Sequence, residues 1–122
     1  MEKRKKIKTF QDLRVWQKSH KLALIIYKIT TKLPKHEQYI LINQIRRSAI
    51  SIPANIAEGM GRNTKAELKN FLYNARGSLQ ETIYFLILIK DLNYIDSEEY
   101  EKISKRYLGS GKAINIFLKS LK

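Results

Sequence analysis

Ile42, Ile45, Ala49, Ile52 and Ile56 are separated by 3, 4, 3 and 4 residues. That alternation places all five on one face of a helix and on both faces of a strand. The same rhythm recurs nearly throughout, and no segment shows the every-second-residue alternation of a half-buried strand. Only five glycines and two prolines punctuate 122 residues, so the elements are expected to be long. The chain is all-α.

Four helices follow from the pattern. The first runs from about Asp12 to Thr31, with Val15, Leu22, Ile26, Ile29 and Leu33 in one stripe and Leu13, Trp16, Ala23 and Tyr27 in a second beside it. Together these stripes span roughly 220° of the helix, where the apolar face of a surface helix needs about 100° or somewhat more. The excess predicts two neighbours for this helix, one of them another subunit. Pro34 closes it, because the residue before a proline is driven away from helical angles. The second helix is expected over Glu37 to Glu58, with a kink near Ala49 caused by Pro53. Gly59, Gly61 and Asn63 mark a turn, and Asn63 or Thr64 caps a third helix over Lys65 to Leu92. Asp96 or Ser97 caps the fourth, which reaches about Leu121 and has Glu98, Glu99 and Glu101 in its first turn. Four long helices with short connections predict an antiparallel up-down four-helix bundle over residues 9–122. Residues 1–8 are expected to be a disordered basic arm.

Composition narrows the function classes. Cysteine is absent, which removes disulfides, thiolate metal sites and a cysteine nucleophile and fits a reducing, cytoplasmic setting. The longest apolar run, Ile83 to Ile89, is far short of the about 20 residues of a membrane span. No apolar core of a signal peptide follows the basic start. His20 and His36 have no metal-ligand spacing, and no Glu-x-x-His pattern joins Glu58 or Glu81 into a carboxylate site. No cofactor is implied.

Charge is the strongest functional signal. The chain carries +13, and residues 1–35 hold +9 of it, with eleven Lys and Arg against Glu2 and Asp12. Lys3, Arg4, Lys5, Lys6 and Lys8 cluster before the first helix. Arg14, Lys18, Lys21, Lys28 and Lys32 then fall within roughly 80° of one another on it. Ile25 interrupts that face. Lys105, Lys112 and Lys119 share the outer face of the fourth helix. A basic arm running into a basic helix face is an electrostatic footprint for a polyanion, and equally a solvated face that keeps a protein soluble.

A polar stripe lies beside the apolar one on the second helix: Gln44, Ser48, Ser51, Asn55 and Glu58, flanked by Arg47. The third helix offers Asn74, Ser78 and Glu81, with Gly77 permitting close approach. If the stripes meet, their members must satisfy one another, and Arg47 with Glu81 is the natural charged pair. A catalytic serine in this stripe would need a base, and neither histidine is on these segments. A structural polar network of Gln44, Arg47, Ser51, Asn55, Glu58, Ser78 and Glu81 is the expectation, with no enzyme activity.

Three stretches carry a family resemblance: FQDLRVWQKSHKLA (10–23), QIRRSAISIPANIAEGMGR (44–62) and FLYNARGSLQET (71–82). Together they resemble the four-helix-bundle proteins encoded by intervening sequences in large-subunit ribosomal RNA genes. Arg47, Ser51, Pro53, Asn55, Glu58, Gly59, Arg62, Gly77, Ser78 and Glu81 match that family's pattern. Its members are similar to the basic accessory protein of diversity-generating retroelements, a five-fold barrel that engages nucleic acid and a reverse transcriptase. The resemblance implies a cyclic homo-oligomer, with five subunits, and a basic surface. It carries no catalytic assignment to any matching position.

Two functions from different classes remain. One is a nucleic-acid-binding module, for structured RNA rather than DNA, acting through phosphates from the arm and first helix. The other is an oligomeric scaffold whose basic face docks an acidic protein such as a polymerase or reverse transcriptase. A membrane-surface role ranks behind both, because the apolar face of the first helix is needed to close the bundle.

Overall fold

The computed structural model describes residues 7–121. Most of the expected basic arm, including Lys3, Arg4, Lys5 and Lys6, lies outside the described residues. Four long helices form: α1 (Arg14–Thr30), α2 (Asn43–Met60), α3 (Lys65–Asp91) and α4 (Ser97–Ser120). Each packs on its neighbours in sequence, and α1 meets α4 to close the square. The connections are short enough to force antiparallel neighbours, so this is an up-down four-helix bundle. The α2–α3 seam is the most extensive and the α1–α4 seam the thinnest. The core runs through Leu22, Ile26, Ile45, Ile52, Leu72, Leu86 and Ile114, all essentially inaccessible to solvent.

Local chemistry sets the ends. Thr9 and Asp12 make a reciprocal capping box around a short 3₁₀ turn, Phe10–Asp12, ahead of α1. The Glu67 amide donates to the Thr64 hydroxyl at the start of α3 (3.1 Å), and the Glu99 amide donates to the Asp96 carboxylate at the start of α4 (2.8 Å). The chain turns out of α3 through Asn93, the one described non-glycine residue with positive φ (64°). The Tyr94 and Asn93 amides there donate back to the Ile89 and Lys90 carbonyls, closing the orphan acceptors of the last turn.

The second helix begins later than its periodicity suggests. A 3₁₀ turn, Lys35–Glu37, and a π turn, Gln38–Ile42, precede it. The wider π turn changes the phase, so that Leu41 and Ile42 both point inward while Tyr39 and Ile40 face solvent. From Asn43 onward α2 continues unbroken through Pro53.

The α2–α3 seam holds a ladder of hydroxyls. Ser48 is buried and donates to the Ile45 carbonyl (3.1 Å), and the Thr82 hydroxyl meets it across the seam at 2.8 Å. One turn further along, Ser78 donates to Ser51 (3.0 Å), and the Asn55 amide donates to both the hydroxyl and the carbonyl of Ser51. Thr82 also contacts the Ser78 carbonyl at 2.8 Å, joining the two rungs.

The charged members expected of this network stand apart from it. Gln44, Arg47 and Glu81 are exposed, and no ion pair joins Arg47 to Glu81 among the described residues. The seam is too closely packed at its centre for two long side chains, so these sit on its rims in water. Glu58 turns outward and pairs with Arg62 at 2.8 Å. The structurally engaged arginine is Arg46. Its Nε donates to the buried Thr30 hydroxyl at 2.8 Å, and its guanidinium covers the Tyr27 ring at 4.7 Å. Arg46→Ala is therefore expected to cost about 1–2 kcal/mol through the lost charged hydrogen bond, and Arg47→Ala less than about 0.5 kcal/mol. Chemical denaturation of the two variants checks the order.

Close approach is also placed differently. A Cβ on Gly77 would meet nothing within 4 Å, whereas one on Gly59 would lie 2.9 Å from both Leu68 Cδ1 and Phe71 Cβ. Phe71 Cβ is tied to its backbone and cannot yield as a side-chain tip can. Overpacking of about 1–3 kcal/mol should outweigh the about 1 kcal/mol gained when alanine replaces a helical glycine. Gly59→Ala is thus expected to lower the unfolding midpoint.

Two buried hydroxyls on α4, Tyr107 and Ser110, have no hydrogen-bond partner among the described residues. Burial pushes the Tyr107 hydroxyl far above its ordinary pKa, opposed only in part by nearby Arg106. The folded chain therefore holds this proton longer than the unfolded chain does. Its stability contribution is intact below about pH 10 and falls at higher pH by about 1.4 kcal/mol per unit. Tyr107→Phe removes an unsatisfied donor worth about 1–3 kcal/mol. It is expected to raise the melting temperature at neutral pH and flatten the loss above pH 10.

Candidate nucleic-acid interface

All five cations assigned to the face of α1, namely Arg14, Lys18, Lys21, Lys28 and Lys32, are exposed, as is Lys8 just before the first turn. Among the described residues none of their side chains has an acid, a ring or a carbonyl for a partner. Some cations elsewhere are engaged. Arg62 holds Glu58 and covers Phe71, Arg76 covers Tyr73 and reaches Asn115, and Lys90 lies over Tyr100. The charge on α1 is thus left uncompensated, the condition under which it attracts an external anion.

The bundle adds a second basic row. Lys102, Lys105 and Arg106 of α4 are exposed and face the α1 cations across the thin α1–α4 seam. Three hollows follow one another along this seam. The first, about 540 Å³, is lined by Arg14 and Lys18 with Val15, Ile116 and Phe117. The second is a notch of about 220 Å³ lined by Lys18, Leu22, Arg106, Gly109 and Ser110. The third, about 630 Å³, has Ile25, Ile29 and Ile103 as its floor and Lys28, Lys32, Lys102 and Arg106 on its rim. Lys18 links the first to the second and Arg106 the second to the third. Among the described residues Glu99 is the one acid lining any of them. The result is a groove with an apolar floor and cationic banks. Lys21 is exposed but lines none of these hollows.

The α4 contribution was open to sequence reading in part. Lys102, Lys105, Arg106 and Gly109 follow the 3 and 4 spacing of one helix face. That this face lies opposite the α1 cations is a property of the closed square. Ile25, an interruption of the basic face in sequence, becomes its floor.

The other side of α1 is apolar. Phe10 packs edge-on against Trp16 (5.1 Å between centroids), and Trp16 stacks on His20 (4.7 Å). With Leu24, Tyr27 and Ile50 they border a hollow of about 360 Å³ between α1 and α2. Leu24 is 57% exposed and Ile50 44%. His20 is thus part of an aromatic stack. No group of three or more His, Cys, Asp or Glu among the described residues is placed to hold a metal, and no described helix is long and apolar enough to cross a membrane.

The family model described as 23S rRNA-intervening sequence protein matches residues 11–115. No curated relative matches the chain. A crystal structure of a protein of unknown function from the S23 ribosomal protein family of Bacteroides thetaiotaomicron is similar, with a TM-score of 0.79 and 30% sequence identity. The match covers 86% of this chain and 98% of that one. Neither the family's description nor the neighbour's names an enzymatic activity. With the bundle and nearly all of its length matched, the chain belongs to the 23S rRNA-intervening sequence protein family.

Proposed function

We propose that this protein is a non-enzymatic nucleic-acid-binding module of the cytoplasm, with RNA preferred to DNA. It holds the phosphate backbone through the α1 cations and the basic segment Lys3–Lys8. The observation that carries this reading is the arrangement of charge: two rows of exposed cations, one on α1 and one on α4, flank one groove whose lining includes a single acid among the described residues. Phosphate contacts of this kind are largely indifferent to sequence. The family's tie to ribosomal RNA genes adds support to RNA as the partner. The apolar surface shared by α1 and α2 supports assembly with further copies, and the choice of five rests on the family resemblance alone.

Each phosphate neutralised releases counterions, so log affinity should fall against log salt by about 0.7–0.9 per contact. Fluorescence anisotropy with labelled RNA between about 50 and 200 mM salt measures this. Changing Lys18, Lys21 and Lys28 together to Glu is expected to abolish binding, and deleting residues 1–8 to weaken it and flatten the slope. Light scattering on the same samples should show an oligomer in wild type and triple variant alike. Binding indifferent to salt and to both changes would remove the nucleic-acid reading and leave the basic face as a dock for an acidic protein.

A further inference from the structure

A chain that only met phosphates would need cations over a surface of any kind. Here the cations border a groove with an apolar floor, and the groove is kept open at a cost. Gly109 stands in the middle of α4, where glycine is less favourable than alanine by about 1 kcal/mol. A Cβ there would meet nothing within 4 Å, so packing does not require the glycine. By contrast Gly111, two residues on, faces Leu79 at 3.4 Å. Gly109 lines the notch between Lys18 and Arg106, and its missing side chain leaves that notch accessible. The inner wall is Ser110, fully buried and with no partner for its hydroxyl. Two cations over an open passage make a receptacle for one tetrahedral anion. Arg106 also borders the adjoining hollow, whose floor of Ile25, Ile29 and Ile103 offers no hydrogen bond and suits a flat, weakly polar ring.

We propose that the α1–α4 groove holds an unpaired nucleotide of the bound strand, its phosphate between Lys18 and Arg106 in the notch and its base on the isoleucine floor. This rests on the nucleic-acid reading above and adds a requirement to it: the base must be free of its complement. A duplex offers phosphates but keeps its bases stacked inside, so it reaches the cationic banks and not the floor. Unpaired loops and ends present both. The aliphatic floor reads no base edge, so the preference is for single strands and not for a sequence.

The test compares an oligouridylate of about ten nucleotides, within the usual span of a single-strand site, with the same strand annealed to its complement. Wild type is expected to bind the single strand about tenfold more tightly, the effect of burying one base face. Gly109→Leu has room for its new side chain, which on a helix leans toward the preceding turn and so across the notch at Arg106. It should keep its helical circular dichroism and bind single strand no better than duplex. Gly109→Ala should retain the preference. If Gly109→Leu fails to fold, Ile25→Gln, which strips the floor at a half-buried position, gives the same comparison. A wild type that binds both forms equally, or a Gly109→Leu protein that keeps the preference, overturns the groove assignment and leaves salt-dependent RNA binding standing. A wild type that binds neither form overturns both. Binding to anionic phosphatidylglycerol vesicles that Gly109→Leu abolishes, with strand binding untouched, would assign the groove to an acyl chain and overturn the proposal.

Discussion

The contact between α2 and α3 sets the geometry of everything else in the bundle. Gly59 presents a bare Cα to Leu68 and Phe71, where any side chain would force the two helices apart. Having come that close, the helices bury polar atoms that must find partners. The rungs Ser48–Thr82 and Ser51–Ser78 supply them. Apolar packing alone tolerates a small slide of one helix along another. A hydroxyl ladder resists it, because Ser48 and Ser51 each accept a bond from α3 that a slide would break. The seam therefore fixes register as well as distance. Once α2 and α3 are locked, α1 and α4 each have one firm neighbour, and the contact between them need not be tight.

That looseness has a visible chemical signature. Tyr107 and Ser110, the two buried hydroxyls with no partner among the described residues, both lie on α4, and the notch and its neighbouring hollows run along α4's open side. The α2–α3 seam has its buried hydroxyls matched. A bundle that spent its polar matching evenly would have no such contrast. The asymmetry leaves one side of the bundle closely matched and the other accessible, with cations of α1 and α4 along the accessible side.

How far the sequence speaks depends on the range of the interaction. Helix identity is local, and periodicity, capping residues and Pro34 place all four helices within a few residues. The exception, the start of α2, is a π turn whose phase shift is set by burying both Leu41 and Ile42, a tertiary demand invisible in the 3 and 4 spacing. The polar stripe is legible because Ser48, Ser51 and Asn55 repeat on one face. Thr82 was within reach too, four residues after Ser78. The choice between Arg46 and Arg47 was not, since adjacent residues point about 100° apart. Only the position of α1 decides which one meets the Thr30 hydroxyl. Gly77 and Gly59 show the same limit: a glycine permits approach, and the fold decides where approach occurs. The basic face of α1 is legible in full, whereas its partner row on α4 needs the closed square.

The apolar floor between the two cationic rows bears on how tightly charge can act there. Lysines over a flat, wet surface are screened within about 10 Å at moderate salt. Set along a groove whose floor excludes water, the same charges act through a lower dielectric and attract an anion more strongly. Ile25 in the midst of the basic face is then no defect of patterning. A lysine at that position would add one charge and rehydrate the floor, weakening the field of its neighbours. A single apolar residue there deepens the hollow against Ile29 and Ile103 and leaves the charge on the banks. Groove shape and charge are therefore one design, and removing either is expected to diminish what the other contributes.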